Sequence, residues 1–428
     1  MKAFFQWLAL TLVGVVAWGG INLLAFDKSW FVESAVPAGD REAFAAYASD
    51  RIRAQSNGNA ALLLLDAGVV SHEVNHSRGR PVTADSVFGV SSVSKWVAAI
   101  GVMRLVEQGK LDLDAPVSNY LTRWSLPDSE FDNNGVTVRR LLSHTAGLTD
   151  GLGHDGFASR NQVQPLTEHL TRAKDADPDV SGEVRVGLQP GSSFKYSGGG
   201  YNLLQLVVEE VTGMSFADYM QQQVLMPLGM TRSTYDPDRA TDPATYFDAE
   251  GQPRAYPYYT SLAATGLHAS ARDLARLLAF HATGQTVAGA PPPVSPETLE
   301  LMREPHAQQL GADIWGLGTI LYARDNHGSF VIGHGGQSPA LNASVRFNPA
   351  TGDGFVLLTT GNRSLAADVG TEWTLWQTGN ADIYLQANLI PRVLLRTLIG
   401  AAVIAALSAL WVVVRRRRRR AESRKVRK

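Results

Sequence analysis

Eighteen successive uncharged residues, "TLIGAAVIAALSALWVVV" from Thr397 to Val414, run straight into six arginines, Arg415 to Arg420. A helix rises about 1.5 Å per residue, so this run spans roughly 27 Å, close to the roughly 30 Å of a bilayer's hydrocarbon core. A run of that length and composition predicts a transmembrane helix, and the arginines read as its stop-transfer flank, not as a nucleic-acid patch. The other flank carries only Arg392 and Arg396. The positive-inside bias therefore places the C-terminal tail in the cytoplasm and the chain before it on the extracytoplasmic side.

The other end repeats the theme. Lys2 precedes an almost uncharged stretch from Ala3 to Phe26 that is also long enough to cross a membrane. It reads as a signal anchor, or as a cleaved signal peptide with Phe4 to Val16 as its apolar region and Ala17-Trp18-Gly19 as the cleavage pattern. The chain thus divides into three parts: an N-terminal signal-anchor or signal peptide at 1–28, a central domain at 29–380, and a C-terminal transmembrane helix with its basic tail at 381–428. Ten of the 39 Lys and Arg residues but only one of the 40 Asp and Glu residues come after Val414. The remainder is acidic, which argues against a nucleic-acid partner. With no cysteine, disulfides, iron–sulfur clusters and thiolate zinc sites are excluded.

Between the ends, "AALLLLDAGVVSHEVN" (60–75) reads as a strand, an Asp-Ala-Gly turn and a second strand. From Ser92, the residues Val93, Trp96, Val97, Ile100, Met103 and Val106 recur at helical spacing, and Gly109 is placed to act as a C-cap. Further helices are predicted over 138–143, 201–211, 216–224 and 271–282. Short β-rich runs then dominate ("GLGTILYA", "SFVIGHGG", "ASVRFNP", "GFVLLTTGN"), before a last helix over 366–377. Strands at both ends and helices between them predict an α/β half built from the two chain ends, with an all-α part inserted and a cleft at the seam.

Several motifs mislead. "HEVNH" at His72 to His76 matches a zinc-protease pattern, but in a strand the two imidazoles stand roughly 13 Å apart, too far to share one ion. "GVSSVSK" lacks the glycine of a phosphate loop, and no G-x-S-x-G elbow occurs. "LDLDAP" at Leu111 to Pro116 reads as a turn with capping aspartates. "FKYSGGGYNLL" (194–204) is open to three readings: a phosphate cradle, a plain turn, or a catalytic tyrosine loop.

Ser92-Val93-Ser94-Lys95 places a hydroxyl and an amine three residues apart at the start of an apolar helix. That spacing puts both groups on one face, where a desolvated amine can take the hydroxyl proton and the helix dipole favours the resulting anion. Alone the pattern is weak, because an N-cap serine beside a solvated lysine looks the same. Its force comes from order: "KYSGGGYNLL" lies about a hundred residues downstream, and "IGHGGQSPALNASV" falls on a later strand.

With "VFGVSSVSKWVAA", "LLSHTAGL" and "TGLHASARDLARLL", this set resembles the serine β-lactamase and penicillin-binding-protein superfamily, in its class C β-lactamase-like branch of esterases and D-peptidases. The resemblance covers nearly all of Phe44 to Trp376. It implies a β-lactamase-like α/β fold, an antiparallel sheet flanked by helices with an inserted all-α subdomain. It also implies Ser92 as the acylated nucleophile, Lys95 as its base partner and Tyr196 as a proton shuttle. His334-Gly335-Gly336 matches the cleft strand, whose glycines admit the substrate backbone and whose His334 can donate to a substrate carboxylate or to Tyr196. The amides of Ser92 and Gln337 form the implied oxyanion hole, each such donor contributing on the order of 3 kcal/mol.

The resemblance treats His144, in "LLSHTAGL", as structural. It decides "FKYSGGGYNLL" for the tyrosine loop; the phosphate reading also fails for want of a lysine and a helix start. Gly198 stands where the family pattern has an asparagine, so an anchor for the substrate amide is missing and a tilt toward esters or unusual peptides is expected.

The resemblance and the two apolar ends together imply a membrane-tethered serine hydrolase cleaving an amide or ester, needing neither metal nor cofactor. The alternative is a penicillin-binding or sensing module of the same fold without turnover. Small-molecule and peptide substrates, cell-wall peptides among them, all suit the set, and oligomeric state is left open.

Overall fold

The computed structural model describes residues 2–150, 154–178 and 180–425. Met1 and positions 426–428 of the basic tail lie outside the described residues. The chain forms two compact units, Val36–Thr378 and a terminal unit of residues up to Ala35 and from Gly379 onward.

In the terminal unit, helix α1 (Lys2–Asp27) packs against the long helix α12 (Ile383–Lys425). Trp7 Nε1 donates to the Ala405 carbonyl at 3.0 Å, and the Thr11 and Ser408 hydroxyls meet at 2.6 Å. Small residues permit the approach: a Cβ on Gly14 would lie 2.7 Å from Ile404, and one on Gly400 would lie 2.0 Å from the Trp18 indole. Small residues and interhelical hydrogen bonds are the means by which helices associate in lipid, where apolar burial gives no drive. Both helices are long and apolar enough to cross a membrane.

In the other unit, an eight-stranded antiparallel sheet is built from both chain ends. Strands β1 (Ala60–Asp66) and β2 (Val69–His76) come first in sequence; β7 (Ala307–Gln309), β8 (Ala312–Trp315), β9 (Ile320–Arg324), β10 (Phe330–Gln337), β11 (Leu341–Asn348) and β12 (Asp353–Thr360) come last. Their order is β2-β1-β12-β11-β10-β9-β8-β7. The β1–β2 hairpin turns through Ala67 and Gly68, both at positive φ (48° and 82°), as a two-residue turn that matches strand twist demands. β1, "AALLLLD", is an unbroken apolar run because it is covered on both faces, whereas the edge strand β2 alternates exposed and half-buried positions.

Helices α2 (Arg41–Gln55) and α11 (Leu365–Thr378) pack with the sheet, as do α3 (Val93–Glu107) and α9 (Ala271–Thr283). The insertion also holds α4 (Val138–Leu142), α5 (Leu166–Thr171), α6 (Gly198–Thr212), α7 (Phe216–Met220), α8 (Leu262–Thr265) and α10 (Pro296–Arg303). It is not purely helical: β3 (Val87–Gly89) pairs β6 (His268–Ser270), and β4 (Tyr246–Phe247) pairs β5 (Pro253–Arg254). The predicted helix over 216–224 divides into α7 and a π-helical turn, Gln221–Leu225.

α3 runs through the middle of the core. Every residue from Val93 to Met103 is buried, Lys95 included. That is why its apolar positions continue all the way round instead of forming one stripe.

Candidate active site

Ser92 opens α3 after a constrained turn. Ser91 holds a left-handed φ of 46°, Ser94 Oγ donates to the Ser91 carbonyl at 2.6 Å, and Leu267 N–H donates to Ser94 Oγ at 3.0 Å. A non-glycine residue held in that conformation is a local cost that the surrounding structure must over-determine. Ser92 itself makes no side-chain cap bond. Its Oγ lies 3.2 Å from Lys95 Nζ instead. The solvated-lysine alternative is gone, because Lys95 is only 2% exposed.

Lys95 Nζ also donates to the Ala264 carbonyl at 2.7 Å and lies 5.0 Å from the centre of the Tyr196 ring. Burial pushes its pKa down to about 7, with the Asp150 charge pulling the other way. About half the amine is then neutral at pH 7, against fewer than roughly one in a thousand for an ordinary lysine. With one N–H held by Ala264, the amine's lone pair is available to Ser92.

Tyr196 is fixed by an aromatic box. His144 stacks on it at 4.3 Å between ring centres, and Trp315 meets it edge-on at 5.6 Å. Trp315 also meets His334 edge-on at 5.4 Å, so β8, β10 and the Tyr196 loop converge through one indole. β10 in turn presses on the turn before Ser92: a Cβ on Gly336 would lie 2.1 Å from the Val90 carbonyl oxygen. Asn342 Nδ2 donates to the Gly336 carbonyl at 3.0 Å and fixes the strand end that carries Gln337. Ser92, Lys95, Tyr196, His334 and Gly336 are thus gathered around one point.

Residues 43–379 match the family model described as Beta-lactamase. The chain belongs to the beta-lactamase family. It is 30% identical over 312 residues to Penicillin-binding protein 4 of Amycolatopsis lactamdurans, covering 68% of this chain and 77% of that one. It is 33% identical over 190 residues to Esterase EstB of Burkholderia gladioli, covering 41% and 45%. Among solved structures it is similar to the octameric penicillin-binding protein homologue from Pyrococcus abyssi, with a TM-score of 0.65, 24% identity, and 80% and 78% coverage. That likeness establishes the fold.

Within this beta-lactamase-family site, three expectations change. "SGGG" is a helix start after all: Ser197 is the N-cap of α6, and Gly198 is its first residue. The anion it holds is internal. Ser197 Oγ donates to Asp150 Oδ1, and Gly199 N–H donates to Asp150 Oδ2 at 2.7 Å. Asp150 is 4% exposed; burial raises its pKa against those stabilising bonds. Asp150 and Trp315 are the residues that sequence reasoning missed. For Asp150 the only signal was its place two residues after "LLSHTAGL"; for Trp315 there was none.

Second, His334 Nδ1 lies 2.6 Å from the Gly335 carbonyl, which can only accept, so Nδ1 carries the proton. Burial, and after it the Lys95 charge, lowers its pKa to about 3. The neutral ring therefore presents Nε2, buried without a partner, as an acceptor and not as the expected donor. Third, the two glycines differ in what the protein itself demands: Gly336 has no room for a Cβ beside the Val90 carbonyl, whereas a Cβ on Gly335 would meet no atom of the chain closer than 3.7 Å. His144 lies beyond α4 at a φ of 56°; its Nδ1 accepts from Ser197 N–H at 3.1 Å, and burial followed by the Lys95 charge holds its pKa well below the ordinary value. It serves as the floor beneath Tyr196.

Proposed function

We propose that the chain is a membrane-tethered serine hydrolase forming an acyl-enzyme on Ser92, with neutral esters or amides as preferred substrates. The observation that carries this reading is the buried Lys95 amine 3.2 Å from Ser92 Oγ. Lys95 takes the hydroxyl proton as Ser92 attacks the substrate carbonyl, and the amides of Ser92 and Gln337 receive the developing oxyanion. The proton passes to the leaving group by way of Tyr196. Water then enters, gives a proton to the same pair and attacks the acyl carbon; the bond to Ser92 Oγ breaks, the proton returns to Ser92, and the acid leaves.

Preference for neutral substrates comes from His334. A lone pair at Nε2 receives an N–H or O–H but repels a carboxylate, so substrates with a free carboxylate beside the scissile bond bind less well. The esterase among the relatives is consistent with this preference. Tethering is supported by the two apolar helices, and retention of the N-terminal one by its packing along α12. The arginine run supports a cytoplasmic tail and an extracytoplasmic catalytic unit.

The test uses the full chain in detergent with an active-site serine probe, and then esters and amides paired with their carboxylate-bearing analogues. Ser92→Ala should lose all labelling, and the wild type should turn over repeatedly with the neutral member of each pair favoured. Labelling that persists in Ser92→Ala sinks the assignment. A single acylation without turnover replaces it with the sensing module.

A further inference from the structure

Away from Ser92, three residues that no motif connects come together. His154, His169 and Asp175 offer one ligand atom each, all within 4.8 Å of one another. Backbone bonds hold the arrangement: Asp155 N–H donates to the Asp175 carbonyl at 2.9 Å, His154 bridges Ala176, and Gly156 N–H donates to Asp175 Oδ2 at 3.2 Å. His169 comes from α5 and places Nε2 2.6 Å from Asp175 Oδ1. His154 Nδ1 points at the same oxygen from 3.8 Å, too far for a hydrogen bond.

As a hydrogen-bonded cluster this is incomplete. His154 Nδ1 and Asn202 Oδ1 are both buried without a partner, and Asn202 is 0% exposed. The second ring nitrogens, His154 Nε2 and His169 Nδ1, converge on the Asn202 amide at 3.4 and 3.3 Å. Two imidazoles aimed at one carboxylate oxygen, with their far nitrogens on a shared amide, form the inner and outer shells of a metal site. The amide oxygen can accept both ring N–H groups once the side chain is turned.

We propose that His154 Nδ1, His169 Nε2 and Asp175 Oδ1 bind a divalent zinc-like cation, with Asn202 orienting the two imidazoles. Tetrahedral ligation at about 2.0 Å sets ligand atoms about 3.3 Å apart. The 2.6 Å pair opens by about 0.7 Å and the 3.8 Å pair closes by about 0.5 Å, while the two ring nitrogens start within 4.8 Å of each other. The two imidazoles bind as neutral ligands. A cavity of about 950 Å³ opens beside the same segment, lined by Gln164, Glu168, Arg172, Lys174, Ala176 and Asp177, the neighbours of His169 and Asp175 in sequence. The ion would tie the 154–175 segment to α6, the helix whose first turn holds Asp150.

The test is zinc and cobalt titration of chelator-stripped full-length protein in detergent. A single equivalent should bind per chain, and cobalt should give visible bands of tetrahedral intensity. His154→Gln, at the least buried ligand, and Asp175→Asn should each weaken binding roughly tenfold or more, while His72→Gln on the exposed strand should not. Absence of stoichiometric binding by the wild type overturns the proposal, as does undiminished binding by a folded His154→Gln protein. Should both variants fail to fold, X-ray absorption of zinc-loaded wild type decides: two imidazole scatterers support the site, and an all-oxygen shell overturns it.

Discussion

Lys95 and Asp150 form the electrostatic centre of the site, and their coupling has a measurable sign. Burial lowers the Lys95 pKa to about 7, while the Asp150 charge resists that shift. In the proposed mechanism the amine acts when neutral, so kcat/KM for a neutral ester should rise with pH to a plateau, with its midpoint near 7. Asp150→Asn can still accept from Gly199 N–H through its oxygen and donate from its NH2 to Ser197 Oγ, but it removes the charge, so the midpoint should move to lower pH. An unmoved midpoint would show that Asp150 carries no charge felt by Lys95. His144 and His334 are both held neutral by burial and should add no inflection near the ordinary histidine value of about 6.5. Of these residues, Ser92, Lys95, Tyr196 and His334 were legible because their chemistry and order are written along the chain. Asp150 was not, since an aspartate in "GLTDG" looks like any turn residue until α6 is placed over it.

Among the elements, the close approach of β10 to the turn before Ser92 sets the strand against the proposed nucleophile. Gly335 and Gly336 are adjacent in sequence yet differ in surroundings: ordinary van der Waals contact at 3.7 Å for a Cβ at one, the Val90 carbonyl 2.1 Å from a would-be Cβ at the other. Gly335→Ala should therefore keep most activity and stability, whereas Gly336→Ala should lose more than about tenfold in kcat/KM, as small misplacements of catalytic groups commonly do. Equal behaviour in ester turnover and thermal unfolding would refute that role for β10. The "SGGG" run teaches a related lesson. Three glycines carry no periodicity and read as a loop, but Ser197 and the Asp150 carboxylate supply the cap that makes them a helix start. A Cβ on Gly199 would lie 2.5 Å from Val184 and 2.8 Å from Asp150, so glycine there serves packing rather than flexibility.

At the scale of the whole molecule, the terminal helices make one testable unit. The chain has no cysteine, so Thr11→Cys with Ser408→Cys creates a clean pair where two hydroxyls now meet at 2.6 Å. Oxidation in membranes should cross-link the two ends of an intact chain; no cross-link, or a mature protein lacking its first residues by intact mass, would mean that α1 is removed or unpaired. The hairpin, α3, the late strands and both apolar ends could be read from the sequence, because periodicity, turn chemistry and run length are local properties. So could the family, since its signatures recur in order from Phe44 to Trp376. Three things belonged to the tertiary structure alone: the anion at the start of α6, the direction of the His334 proton, and the meeting of His154, His169 and Asp175. Each depends on contacts between segments whose approach is set by packing, and no spacing along the chain encodes which buried atom will face which.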